Sequence, residues 1–329
     1  MNMSNLYLLD PKHWGSEPIR KGFGRGLVKA GEHNNQVVAL CADLTGSTQI
    51  EPFAKAFPER FVEVGVAEQN LVTVASGMAA MGKIPFAASY AAFNPGRNWE
   101  QIKTTAALNN MPVKIVGAHA GLYTGPDGAT HQMLEDVALM RAMPNMVVVV
   151  PSDGLEAEKA TMALAKDPRP GYIRLARDAS PLLTTDKTPF EIGKAYVYTE
   201  GKDLTLIANG TMISIAMEAA DKLRADGIEA EVINCPTVKP LDDRTILASA
   251  HKTRRVITLE EAQAIGGLGG AVAELLSEKY PVPVVRMGVD DKYGQSGTPQ
   301  ELIGHYGLSS SHVTIKAHQL LENTKYLDD

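Results

Sequence analysis

The run Met146–Val150, MVVVV closed by Pro151, most constrains what this chain can fold into. Consecutive β-branched valines favour an extended strand, and a strand apolar at every position has to be covered on both faces. Parallel sheets meet that demand, because each strand-to-strand connection crosses over through a helix that lands on the sheet. The rest of the chain repeats the theme. Val37–Ala42, Phe61–Val64, Ile84–Ala88, Val113–Ala118 and Tyr172–Leu175 read as short strands. Helical patterns lie between them at Ile19–Ala30, Glu68–Met81, Trp99–Asn109, Met133–Ala142 and Glu156–Ala165.

Around Asp178–Gly193 the periodicity stops in DASPLLTTDKTPFEIG, a polar stretch with two prolines and three threonines that reads as a linker. A second α/β series follows, with strands at Asp203–Ala208, Glu229–Asn234, Arg255–Leu259 and Val282–Met287 and helices at Ile213–Ala225 and Gly270–Lys279. The expected organisation is an α/β chain in two parts, 1–180 and 193–329, joined by a linker over 181–192.

Composition narrows the class. The 329 residues suffice for two domains, and 44% hydrophobic with 21% charged residues is ordinary for a folded protein. A formal net charge of −6 argues against nucleic acid or an anionic membrane as partner. Cys41 and Cys235 form neither a disulfide framework nor a zinc pattern. The N-terminal MNMSNLYLLDPKHW lacks the pattern of a signal peptide, and no apolar run reaches the ~18 residues of a membrane span. A cytoplasmic location is expected.

Several motifs fail on inspection. GGLGGA at Gly266–Ala271 has Val272 where a dinucleotide fingerprint needs its last glycine, so close helix–sheet packing is the better reading. Neither a P-loop nor a nucleophile elbow occurs. His131 and Glu135, four apart at an expected helix start, lack a second histidine at helical spacing to make a metal site.

Polar residues gather where a doubly wound sheet places its loops. CADLTGST (Cys41–Thr48), GAHAG (Gly117–Gly121) and GPDGATHQ (Gly125–Gln132) follow expected strands, whose carboxyl ends are where ligands bind. VGVAEQN (Val64–Asn70) carries Glu68 at the head of a helix of small and apolar residues, EQNLVTVASGMAAMG. That acid either faces the helix dipole in water or is buried and exchanges a proton with a heterocycle nitrogen.

VGVAEQNL resembles the glutamate motif of thiamine-diphosphate enzymes. FNPGRNWEQIK, DGATHQ, RLARDASP and EEAQAIGGLGGAVAELL follow in the order and spacing of transketolase C-terminal halves, from Glu17 to His318. The resemblance implies a pyrimidine-binding parallel-sheet domain followed by the transketolase C-terminal α/β domain. It implies that Glu68 hydrogen-bonds the pyrimidine of thiamine diphosphate, that Phe93 packs on that ring, and that Asp43 lies near the cofactor. It places His119, Asp127 and His131 in the substrate channel, with both histidines assisting proton transfers. It places Arg20, Ser47 and Arg177 at the channel mouth as a phosphate grip, where guanidinium forks suit a sugar phosphate. Read singly, Arg20 is a surface helix charge, Ser47 a helix cap, and Arg177 a partner for Asp178.

The family holds the cofactor's diphosphate through Mg2+ on a GDG motif, and none occurs here. The resemblance therefore implies an N-terminal partner subunit carrying GDG and the Mg2+ ligands, in a heterotetramer built on a homodimer of this chain. The implied reaction transfers a two-carbon ketol unit between sugar phosphates. Related alternatives are the β subunit of a 2-oxo acid dehydrogenase, a deoxyxylulose phosphate synthase, and a non-catalytic partner that has kept the fold.

Overall fold

The structure, a computed structural model, describes residues 6–327. The outer ends of both expected parts, 1–5 and 328–329, lie outside the described residues. The first part comprises β1 (Ser16–Pro18), α1 (Ile19–His33), β2 (Val37–Cys41), α2 (Glu51–Ala56), β3 (Phe61–Glu63), α3 (Glu68–Ala80) and β4 (Ile84–Tyr90). It continues through α4 (Trp99–Gln101), β5 (Lys114–Ala118), α5 (Asp136–Arg141), β6 (Val147–Val149), α6 (Gly154–Lys166), β7 (Gly171–Leu175) and β8 (Ala179–Pro181). The second comprises β9 (Tyr196–Thr199), β10 (Leu204–Ala208), α7 (Met212–Ala225), β11 (Ala230–Asn234), β12 (Thr237–Lys239), α8 (Asp243–Thr253), β13 (Val256–Gln263), α9 (Leu268–Lys279), β14 (Val284–Val289), α10 (Pro299–His305) and α11 (Ser310–Asn323).

A seven-stranded sheet has the order β12-β6-β7-β5-β4-β2-β3. All its strands run parallel except β12, which pairs antiparallel with β6. Strands β2, β5 and β7 are buried at every position; β2 is an apolar run covered on both faces, while β5 and β7 bury Lys114 and Arg174 with hydrogen-bond partners. A second, five-stranded sheet has the order β14-β13-β10-β11-β9, with β9 antiparallel at its edge. Strand β12 comes from the second half of the chain yet completes the first sheet, so the two parts are stitched by main-chain pairing as well as by side chains.

Glycines set the closest helix contacts. A Cβ at Gly22 in α1 would meet the Gly154 carbonyl oxygen of α6 at 1.7 Å, so α1 lies directly against the α6 backbone. In GGLGGA, a Cβ at Gly267 would meet the Glu260 carboxylate at 2.0 Å, and that carboxylate accepts the Leu268 and Gly269 N–H groups of α9. The motif packs a helix start against β13.

Two of the expected helices take another form, and α2, α8, α10 and α11 were not foreseen. The one expected over Trp99–Asn109 is α-helical only over Trp99–Gln101 and continues as a π-helical turn over Ile102–Ala107. There the Thr104 and Thr105 hydroxyls donate to the Glu100 and Gln101 carbonyls and compete with the regular ladder. The one expected from Met133 starts at Asp136, because Met133 is taken up in a bridge to Ala120.

Candidate functional site

Because β2, β4, β5 and β7 run parallel, the loops leaving their carboxyl ends converge on one edge of the sheet. Those loops carry Asp43 and Ser47, Phe93, His119, and Arg177 respectively. Helix α3, whose first residue is Glu68, starts on the loop leaving β3 beside them.

Glu68 is buried, its side chain 1% exposed. The Ser89 hydroxyl donates to Oε1 at 3.2 Å, and Arg97 Nη1 donates to Oε2 at 2.5 Å. Asn98 Nδ2 donates to the Glu68 carbonyl at 2.8 Å and ties the helix start to the loop after β4. The small residues of α3 permit this, since Ala75, Ser76 and Ala79 bring the helix close to its neighbours. A depression of about 570 Å³ opens at this helix start, lined by Val66, Glu68, Asn70, Thr73, Arg97 and Gln101.

An aromatic cluster fills the space between Glu68 and the histidines. The Arg97 guanidinium lies 4.4 Å from the Phe93 ring centre, and the His131 ring meets Phe93 edge-on at 5.6 Å. Tyr90 is parallel to Phe93 at 6.2 Å and stacks on His119 at 3.8 Å. His119 is buried, with a left-handed backbone (φ 53°) that turns its ring onto Tyr90, and its Nδ1 has no partner among the described residues. Burial first, then the charges of Arg20, Arg177 and His131, push its imidazole down to about 3, so it is neutral near pH 7. His131 Nδ1 shares a hydrogen bond with the Thr130 hydroxyl at 2.9 Å.

The three residues expected at the channel mouth meet through main-chain carbonyls. Arg20 Nε donates to the Arg177 carbonyl at 3.1 Å and its Nη1 donates to the Ser47 carbonyl, fixing the guanidinium between the two loops. Burial first, then the charge of Arg177, lower the Arg20 pKa from its ordinary value. Arg177 donates to the Thr124 carbonyl at 3.2 Å and pairs with Asp178 at 3.5 Å.

The structure thus brings Arg20, Ser47 and Arg177 together, sets His119 beside them, and links Phe93 and His131 to Glu68 through Arg97. Asp43 and Asp127 stand apart from these contacts. Asp43 is exposed with φ 58°, and its N–H donates to Glu63 Oε1 at 2.7 Å. Asp127 is exposed on the loop between Gly125 and Gly128. The idea of His131 and Glu135 on one helix is corrected: both precede α5, and Glu135 accepts the Leu134 N–H instead. No group of three or more His, Cys, Asp or Glu side chains that could hold a metal ion occurs among the described residues.

Sequence reasoning missed Ser89, Tyr90, Arg97, Asn98 and Glu63. Tyr90 had a signal, an aromatic closing the strand IPFAASY at its ligand-binding end. Glu63 collects the Asp43 and Gly65 N–H groups and the Thr45 hydroxyl, holding the two loops in register, and carries no pattern of its own.

Residues 17–181 match the family described as transketolase, pyrimidine binding domain, and residues 193–313 the one described as transketolase, C-terminal domain. The two family matches, over a fold of this kind, define a chain of the thiamine-diphosphate class. The 6-deoxy-6-sulfo-D-fructose transketolase subunit SqwH of Clostridium sp. (strain MSTE9) is 38% identical, over 96% of this chain and 97% of its own length. The 1-deoxy-D-xylulose-5-phosphate synthase of Pelotomaculum thermopropionicum is 40% identical over 88% of this chain, which spans only 46% of that enzyme. A solved structure described as a split gene transketolase, inactive beta4 tetramer, is 45% identical with a TM-score of 0.87, covering 93% of this chain and 98% of that one. The chain belongs to the transketolase family and resembles its split-subunit members over nearly its full length.

Proposed function

We propose that this chain is the pyrimidine-activating subunit of a two-subunit transketolase that moves a two-carbon ketol unit from a ketose phosphate to an aldose phosphate. The observation that carries the reading is the placement, at one sheet edge, of a buried Glu68 carboxylate and a convergent Arg20–Arg177 pair, with His119 beside the arginines. The residues fit the family's cofactor: a buried carboxylate suits a ring nitrogen, and the adjoining aromatic Phe93 suits the ring face. When bound, thiamine diphosphate supplies a thiazolium carbon that attacks the ketose carbonyl and a sink for the electrons left behind.

In this reading Glu68 holds a proton at the pyrimidine nitrogen, and Ser89 and Asn98 keep it in place. Phe93 supports the ring, and Asp43 lies beside it on the loop fastened by Glu63. Neutral His119 hydrogen-bonds substrate oxygens without drawing charge from the arginines, and His131 moves protons nearby. Asp127 contacts a substrate hydroxyl from the loop tip. Arg20, Ser47 and Arg177 take the terminal phosphate.

We further propose that residues 1–180 form the pyrimidine domain, 181–192 a connector and 193–329 the C-terminal domain. A partner subunit with a GDG motif would supply the Mg2+ ligands, in a heterotetramer containing two copies of this chain. The sequence has no GDG of its own, and the inactive β tetramer of the split relative agrees with such a need. No helix among the described residues is long and apolar enough to cross a membrane, and the cytoplasm is the proposed location. The deoxyxylulose phosphate synthase alternative rests on the half-length match reported above.

Reconstitution tests the reading. The purified chain should transfer no ketol unit at micromolar cofactor with Mg2+, and a GDG-bearing subunit should restore turnover. Turnover without a partner would overturn the split-enzyme assignment. Formation of 1-deoxy-D-xylulose 5-phosphate by the pair would transfer the assignment to the synthase.

A further inference from the structure

Glu68 is shielded from solvent, yet one of the groups covering it is a side chain that is itself 46% exposed. That group is Arg97. Its guanidinium donates to Oε2 at 2.5 Å and lies 4.4 Å from the centre of the Phe93 ring, while the other carboxylate oxygen is engaged by Ser89. A guanidinium is flat, donates N–H groups in its own plane and stacks on aromatic faces. An aminopyrimidine is flat, presents N–H groups in its plane and stacks in the same way. Arg97 therefore makes, from within the chain, the two contacts that the proposed reading assigns to the cofactor's ring.

We infer that Arg97 competes with the aminopyrimidine of the cofactor for Glu68 and has to swing off the carboxylate before the ring takes its place. The inference rests on the reading of Glu68 given above. The geometry supplies a route: the depression of about 570 Å³ is lined by both Glu68 and Arg97, and the arginine has room to move toward solvent within it. Its stem is free to follow, because its only side-chain hydrogen bond among the described residues is the one to Glu68. The competition also protects the chain, since a buried carboxylate left without a positive partner is strongly unfavourable. Arg97 is thus a positioning residue, holding Glu68 ready and yielding it to a better-fitting donor.

The test is binding of thiamine, which carries the same aminopyrimidine without the diphosphate, to the full-length chain by calorimetry and by NMR of the arginine side chains. Arg97→Ala and Arg97→Gln should tighten thiamine binding about tenfold or more, the scale of a lost charge-assisted competitor. In the wild-type chain, thiamine should shift the Arg97 guanidinium resonances toward those of a solvated arginine. Arg97→Lys, a cation without the flat fork, should fall between. Affinity unchanged or weakened in the Ala and Gln variants, with melting temperatures confirming the fold, overturns the competition and leaves Arg97 a structural ion pair or a ring contact. Glu68→Gln separates the two ideas. Thiamine binding that survives this change overturns both the Glu68 reading and the inference, whereas loss there without gain at Arg97 overturns the inference alone.

Discussion

The His119 ring lies 3.8 Å from the Tyr90 ring and 24° from parallel to it. The sheet makes this contact: Tyr90 at the end of β4 is in register with Ala118 of β5, so the next residue turns its ring back over its neighbour. The stack holds an imidazole in the interior beside two arginines, where burial first and then their charges suppress protonation.

His119 should accordingly stay neutral across the physiological range. Its folded pKa of about 3 lies below its unfolded value, so the unfolded chain binds the extra proton between pH ~6.5 and ~3. The stability associated with it is complete above pH ~6.5 and is lost as pH falls through that window, by up to ~1.4 kcal/mol per pH unit. His119→Asn should therefore lessen acid sensitivity between pH 6 and 4 in denaturant titrations. An NMR resonance of His119 titrating near pH 6.5 would contradict this account.

Glu68→Gln should leave the fold intact while slowing cofactor activation in the reconstituted enzyme by ~10²–10⁴-fold, the usual loss when a positioned proton transfer is removed. Hydrogen–deuterium exchange at the thiazolium C2, followed by NMR, measures this step directly. Wild-type exchange in the variant would show that Glu68 has no part in it.

Arg177→Ala should discriminate between substrates. A lost charge-assisted contact is worth ~1.5–3 kcal/mol, so kcat/KM for phosphorylated acceptors should fall by roughly 10–150-fold, with glycolaldehyde nearly unaffected. Equal losses for both would mean that Arg177 serves the loop through its bonds to Thr124 and Asp178.

Gly22→Ala should act on stability and on the site together. The new methyl would lie 1.7 Å from the Gly154 carbonyl oxygen, a backbone atom that cannot step aside, so α1 must shift. Such overpacking costs about 1–3 kcal/mol, more than the helix propensity gained from alanine. Because Arg20 is on the same helix, the KM for phosphorylated substrates should rise along with the drop in melting temperature. A variant that melts and binds like wild type would place the α1–α6 contact elsewhere.

Much of the fold and part of the site were legible in the residues alone. Runs such as MVVVV and the intervening helical periods are local patterns, and they determined an α/β chain of parallel strands because each reports its own burial. The placement of Glu68 at the head of a small-residue helix was legible for the same reason. Tertiary structure decided what no local period encodes. Arg97 and Ser89 reach Glu68 across 29 and 21 positions, and Arg20 reaches Arg177 across 157. Strand β12 joins the first sheet from the far half of the chain. These contacts depend on strand order and loop path, which the crossovers set only once helices and sheet have packed. A single exposed arginine such as Arg97 has no sequence signature until the chain has folded around the carboxylate it covers.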